Sequence, residues 1–285
     1  MTQLDRLRLI SRLFSRPVLE EMARHGLTTA MVDTFKALGI WSAKESRTVG
    51  ELFETALKEI NKSYRCEYVY KAAIANRIVY GRHSPRTSSL AVELGVDNSI
   101  VDAAVFNGTT TAYEVKTEFD NPSRLTTQAP AYLRAFDRVN VVTHPRNGAR
   151  YVELLDSRIG VLVLNRDNSI STLRPAIGDT SRIEPGVVFR MLRRDEFMKV
   201  VHTHFGPQPK LPNGVITAHY RELFEKLSSH QAHEALLTSM RARTNGESSV
   251  SFLTSLPPSL RVLGYATPLS APQRSRALVS LATAI

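Results

Sequence analysis

The chain has 285 residues, 42% of them hydrophobic, enough to bury one large core or two modest ones. Its single cysteine, Cys66, excludes an intramolecular disulfide and a cysteine-built zinc site, and no run of 18 apolar residues is present to span a bilayer. Net charge is +10, and residues 146–285 carry 18 Lys and Arg against 11 Asp and Glu, so the basic excess is C-terminal and suits an anionic polymer such as nucleic acid. The amphipathic first 16 residues lack the central apolar block and small-residue cleavage site of a secretory signal, so a reducing cytoplasm is the expected location.

Leu4, Leu7, Ile10, Leu13 and Phe14 recur at helical spacing and predict a helix ending before Pro17. Residues 18–25 predict a second helix, stopped by Gly26. Thr48-Val49-Gly50-Glu51 has capping-box spacing, so a helix is expected from there to about Asn61. Residues 1–62 thus read as an N-terminal helical region. A helix over about 64–80, closed by Gly81, follows. From Ser88 the period changes to two, and 89–94, 99–106 and 110–117 read as strands. A helix is expected within 121–137, its regular part starting near Thr126 or Thr127 because Pro130 is tolerated only in a first turn. Residues 139–143 read as an apolar central strand, 151–155 as the end of a helix, and 159–164 with 169–173 as a hairpin around Arg166-Asp167-Asn168. Further on, 189–205, 217–229 and 231–243 predict helices around a turn-rich segment at 207–214, and Pro272 can open a last one. The expected fold class is α/β, a mixed sheet flanked by helices, with a core over 63–180 and a mainly helical, basic C-terminal region over 181–285.

Chemistry concentrates at Asp102 in one strand and Glu114-Val115-Lys116 in the next, joined through Asn107-Gly108, a strong hairpin signal. Opposed residues of an antiparallel hairpin share a face. A three-residue loop, Asn107-Gly108-Thr109, sets Asp102 against Glu114. The loop Phe106-Asn107-Gly108 sets Asp102 against Ala112 and makes Glu114 a same-face diagonal neighbour. A two-residue turn sends Glu114 to the other face. The carboxylates therefore meet only if the loop is odd, with Gly108 in the left-handed region, and Lys116 then shares their face. Two carboxylates and an amine near a core are costly unless they serve one another or a divalent cation. Asp102, Glu114 and the Val115 carbonyl offer the oxygen ligands Mg²⁺ prefers. Lys116 is expected to orient an attacking water and offset charge on the phosphorane. The plain alternative is a surface Asp opposite an exposed Glu-Lys strand face.

An aspartate on one strand and Glu-x-Lys on the next resembles the PD-(D/E)XK, restriction-endonuclease-like nuclease superfamily, and within it an uncharacterised bacterial branch. Val101 stands where that motif often has proline, as in many divergent members. The resemblance covers about residues 64–145. It implies a restriction-endonuclease-like core and a metal-dependent nuclease that hydrolyses phosphodiester bonds by attack of a metal-activated water. It further implies Mg²⁺, with Mn²⁺ able to substitute, DNA as substrate, and endonuclease in preference to exonuclease activity. Glu67 stands in the place of the glutamate that often completes such sites, as a further metal ligand; it shares a helix face with Lys71, Ile74 and Ile78, and its alternative is an i,i+4 pair with Lys71. The resemblance sets Gln128 beside the metal and gives Arg124 a phosphate contact.

Glu93 either reaches the site from the first strand or is an exposed strand residue. Arg193 and Arg194, with Arg241 and Arg243, are candidate contacts to a phosphate backbone. His202, His204, His230 and His233 read as ordinary polar histidines; His230 and His233, at i,i+3, can face one another, but no carboxylate-cysteine set supports zinc. No Walker-type loop is present. Two other functions stay open: a non-catalytic nucleic-acid-binding or regulatory protein on the same fold, or a nuclease subunit active only within a defence or mobile-element complex. Expected partners are nucleic acid, a second copy or another protein, and no membrane.

Overall fold

Six strands hydrogen-bond in chain order into one mixed sheet, in a computed structural model that describes residues 2–120 and 125–285. They are β1 (Ser89–Val96), β2 (Ser99–Phe106), β3 (Thr110–Lys116), β4 (Arg138–Thr143), β5 (Gly160–Leu164) and β6 (Ile170–Arg174). β1, β2 and β3 form an antiparallel meander, β3, β4 and β5 run parallel, and β6 returns antiparallel. Parallel neighbours need a crossover. α6 (Leu125–Leu133) lies in the connection from β3 to β4, and α7 (Gly148–Leu154) in that from β4 to β5. The all-apolar run Val161-Leu162-Val163-Leu164 and Val139, Val141 and Val142 of β4 are buried, as central parallel strands require. The chain is thus a mixed α/β protein with helices flanking the sheet.

Two compact units partition the chain. One comprises Met1–Arg86, Arg166–Ser169 and Thr244–Ile285 and is helical: α1 (Gln3–Arg12), α2 (Arg16–His25), α3 (Thr29–Ala37), α4 (Val49–Ser63), α5 (Glu67–Ile74), and then α12 (Glu247–Ser255), α13 (Arg261–Ala266) and α14 (Ala271–Ala282). Thr48 and Glu51 form the expected capping box of α4. The helix expected over 64–80 instead begins at Glu67 and relaxes into a π-helical turn, Ala75–Val79. α14 closes α2: Arg276 Nη1 donates to the carbonyls of Ala23 and Arg24 at the helix C-terminus.

The other unit, Thr87–Asn165 with Ile170–Arg243, contains the sheet, α6, α7, α8 (Pro185–Met191), α9 (Arg194–Phe205), α10 (Asn213–Phe224) and α11 (Ser229–Ala242). Phe106, Tyr132, Phe136, Val141, Phe189, Phe224 and Leu236 share its core. The helix expected over 189–205 is two helices. The break is capped by Glu196, whose carboxylate accepts the Arg193 N–H at 2.7 Å. Pro130 falls inside α6 rather than in its first turn, so α6 forgoes one backbone hydrogen bond there. Among the described residues no helix is long and apolar enough to cross a membrane.

Candidate functional site

The β2–β3 loop has three residues, Asn107-Gly108-Thr109. Gly108 takes φ +65°, Asn107 N donates to Thr109 O at 3.0 Å, and Phe106 pairs with Thr110. The loop is odd, as convergence of the two carboxylates requires. Pairing runs on to Ala103 opposite Tyr113 and stops there. One step further, Asp102 stands in line with Glu114. The Asp102 carboxylate takes over from the backbone ladder: Oδ2 accepts the Val115 N–H at 2.7 Å. Within one strand residue N–H and C=O point to the same side, so the Val115 carbonyl is also turned toward β2. Across β1 and β2, Glu93 stands in line with Asp102, between the Val92–Ala103 and Leu94–Val101 pairs. Glu93 is exposed and carries φ +54°, a strained conformation for a residue with a side chain.

Glu114 is only 2% exposed, and both of its oxygens are engaged. Lys116 Nζ donates to Oε1 at 2.6 Å. The Tyr132 hydroxyl lies 3.0 Å from Oε2 and 2.7 Å from the Ile100 carbonyl, two acceptors competing for one proton. Burial, then the charge and hydrogen bond of Glu114, and then the charge of Asp102 drive the Tyr132 pKa far above its usual value. The phenol therefore stays a donor at any physiological pH.

Three oxygens on surrounding side chains are buried without a hydrogen-bond partner: Gln128 Oε1, Thr143 Oγ1 and Tyr151 Oη. Gln128 precedes Tyr132 by one helical turn and shares its face of α6. Thr143 is the register partner of Lys116 across β3 and β4. Burial raises the Tyr151 pKa, and the charges of Asp120 and Glu114 raise it further against the opposing charge of Arg150. An unsatisfied buried polar atom costs on the order of 1–3 kcal/mol. A hard cation with its waters would satisfy such oxygens, and Asp102, Glu114 and the Val115 carbonyl form an all-oxygen donor set of the kind Mg²⁺ takes. The residues present therefore fit that ion.

The other sequence-derived candidates lie as follows. Glu67 belongs to the helical unit, where it opens α5 and forms a close ion pair with Lys71. Arg124 lies outside the described residues. Arg193 and Arg194 are exposed at the start of α9, and Arg194 donates to Asn213 Oδ1 at 3.0 Å. Arg243 is a structural residue, since its guanidinium grips Glu196 through two bonds of 2.6 and 2.7 Å. His202 Nε2 bonds Tyr220 at 2.7 Å. Sequence reasoning assigned no role to Thr143 or Tyr151 and left Tyr132 without one. For Tyr132 the signal was available, four residues after Gln128 on a helix.

A family model described as bacteriophage P4 protein cII matches residues 61–261, more than half of the chain. Protein cII of Enterobacteria phage P4 is 31% identical over 68 residues, 24% of this chain and 26% of that protein. The match thus spans about a quarter of the curated relative's length. A solved protein of unknown function from Silicibacter pomeroyi aligns over 49% of this chain and 92% of its own, at 14% identity and a TM-score of 0.33, a likeness too weak to carry an argument.

Proposed function

For this member of the bacteriophage P4 protein cII family, we propose from the geometry of its sheet that it acts as a metal-dependent phosphodiesterase and cuts DNA with Mg²⁺. The observation that supports the reading most is the parted β2–β3 ladder, where Asp102 bonds the Val115 N–H next to the buried Glu114–Lys116 pair. Asp102, Glu114 and the Val115 carbonyl would hold the ion. Bound there, Mg²⁺ would supply a more acidic water and offset charge on the phosphate oxygens. Lys116 donates a positive charge and a hydrogen bond toward the phosphate that gains negative charge. Tyr132 holds Glu114 in one orientation, and Gln128, a turn away, presents an amide to the water that attacks. Arg124 completes the reading as a phosphate contact, and Arg193 and Arg194 as contacts to the DNA backbone.

Purified full-length protein is expected to nick or cut duplex DNA with Mg²⁺ or Mn²⁺ and not with EDTA. Lys116→Ala should lower the rate at least about 100-fold, the scale of losing one preorganised charge-stabilising donor. Its circular dichroism should stay unchanged, and Glu114→Gln provides a second inactive variant with less risk to folding. Full activity in both variants sinks the mechanism. One observation favours a non-catalytic nucleic-acid-binding protein on the same fold: both Glu114 oxygens are already satisfied from within the protein. DNA binding without cleavage in either metal selects that reading.

A further inference from the structure

A second cluster of ligating groups lies on α11, beside the tip of the β2–β3 hairpin. Five strand residues, about 17 Å, separate Thr109 at that tip from Glu114. His230, His233 and Glu234 each offer one ligand atom here, all within 4.8 Å of one another. We infer that these three residues form a binding site for a transition-metal ion of the Zn²⁺ class, independent of the Asp102–Glu114 site.

The argument rests on one proton. Thr109 Oγ1 donates its only hydrogen to Asp137 Oδ2 at 2.7 Å, and Asp137 is itself buried. Thr109 Oγ1 also lies 3.3 Å from His233 Nε2. With its hydrogen committed to the carboxylate, Thr109 can only accept, so Nε2 carries the N–H. In the neutral ring this leaves Nδ1 a lone pair and no proton. His233 is 3% exposed, so no bulk water reaches that atom, and Nδ1 makes no hydrogen bond. It faces Glu234 Oε1 at 3.3 Å instead. A bare ring nitrogen and a carboxylate oxygen held that close repel unless a proton or a metal cation lies between them, and a metal also draws in His230.

The spacing suits such an ion. Tetrahedral Zn²⁺ with bonds of about 2.0–2.1 Å sets neighbouring ligand atoms roughly 3.3 Å apart. His230, one turn back on α11, lies with its ring 6.5 Å from that of His233 and is exposed, so it can swing in as the third ligand. Two imidazoles and one carboxylate suit Zn²⁺ and its neighbours rather than Mg²⁺, and they leave a fourth position for water or an external group. The Asp137–Thr109 pair does for His233 what outer hydrogen bonds do for ligating histidines generally: it fixes the tautomer and aims the ring.

Metal-stripped full-length protein titrated with Co²⁺ is expected to develop the visible absorption of a four- or five-coordinate ion, displaced by Zn²⁺. His230→Ala and Glu234→Gln alter exposed positions, so the core stays intact, and each should weaken Co²⁺ binding at least about tenfold. Thr109→Val touches no metal yet should weaken it by about 10- to 100-fold, the range for removing an outer hydrogen bond to a ligand. Asp102→Asn should leave it unchanged. The inference is overturned if wild-type protein shows no such absorption at excess Co²⁺. It is equally overturned if the absorption survives in both His230→Ala and Glu234→Gln, or vanishes in Asp102→Asn alone.

Discussion

Glu114 is buried between one amine and one phenol, and its worth can be measured by taking the amine away. Lys116→Met should cost about 3 kcal/mol of stability, because a buried carboxylate then lacks its counter-charge. Adding Glu114→Gln should recover most of that loss, since the neutral amide needs no cation. Urea denaturation of the two single variants and the double variant reads the coupling directly. A double variant no more stable than Lys116→Met would mean that the pair is not coupled. At this scale Asp102, Glu114 and Lys116 were legible because strand alternation and loop parity are exact counting rules. Tyr132 could have been placed by the same kind of counting, four residues after Gln128 on a helix, but its two acceptors, Glu114 and the Ile100 carbonyl, come from other elements and could not. Thr143 was hidden by its neighbours: a lone threonine at the end of an apolar strand looks like β-propensity and nothing more.

Elements show the same division between local rules and long-range ones. The α4 capping box, the Gly26 stop after α2 and the central position of β4 follow from a few adjacent residues. The break between α8 and α9 does not, because Arg243, some 50 positions away, is what clamps Glu196 at the new helix start. That clamp sets a pH dependence. Burial alone would raise the Glu196 pKa, but the Arg243 hydrogen bonds, the Arg193 N–H and the two positive charges outweigh it, and the net shift is downward from 4.5. A folded-state pKa below the unfolded one gives stability that is fully present above the unfolded value and is lost as pH falls through the folded one. Wild-type protein should therefore lose stability as acid is added below pH 4.5. Glu196→Gln should be less stable at neutral pH by about 2 kcal/mol, with a flatter acid limb in urea-midpoint measurements. Parallel curves for the two proteins would show that the clamp does not titrate as its geometry demands.

Across the whole molecule the net charge of +10 acts at long range, and its C-terminal surplus comes from segments that fall in both units. If the chain binds DNA, raising NaCl from about 50 to about 200 mM should weaken binding by at least about tenfold, through displaced counterions. Filter binding or fluorescence anisotropy over that range tests it, and a salt-independent affinity would remove the charge from the explanation. Composition made this surplus visible at once. What local pattern could not supply is which segments come together, because return contacts such as Thr48 with Ala284 join positions at opposite ends of the sequence through backbone hydrogen bonds that any residue can make.

That pairing has a consequence for biosynthesis. The sheet-bearing unit is complete once Arg243 has been made, so it can fold while the ribosome is still working. α1 to α5 precede that unit in the chain yet must wait for α12 to α14, which belong to their own unit and follow it. The helices α1 to α5 thus reach their native contacts only after the sheet-bearing unit between them and α12 to α14 has been made.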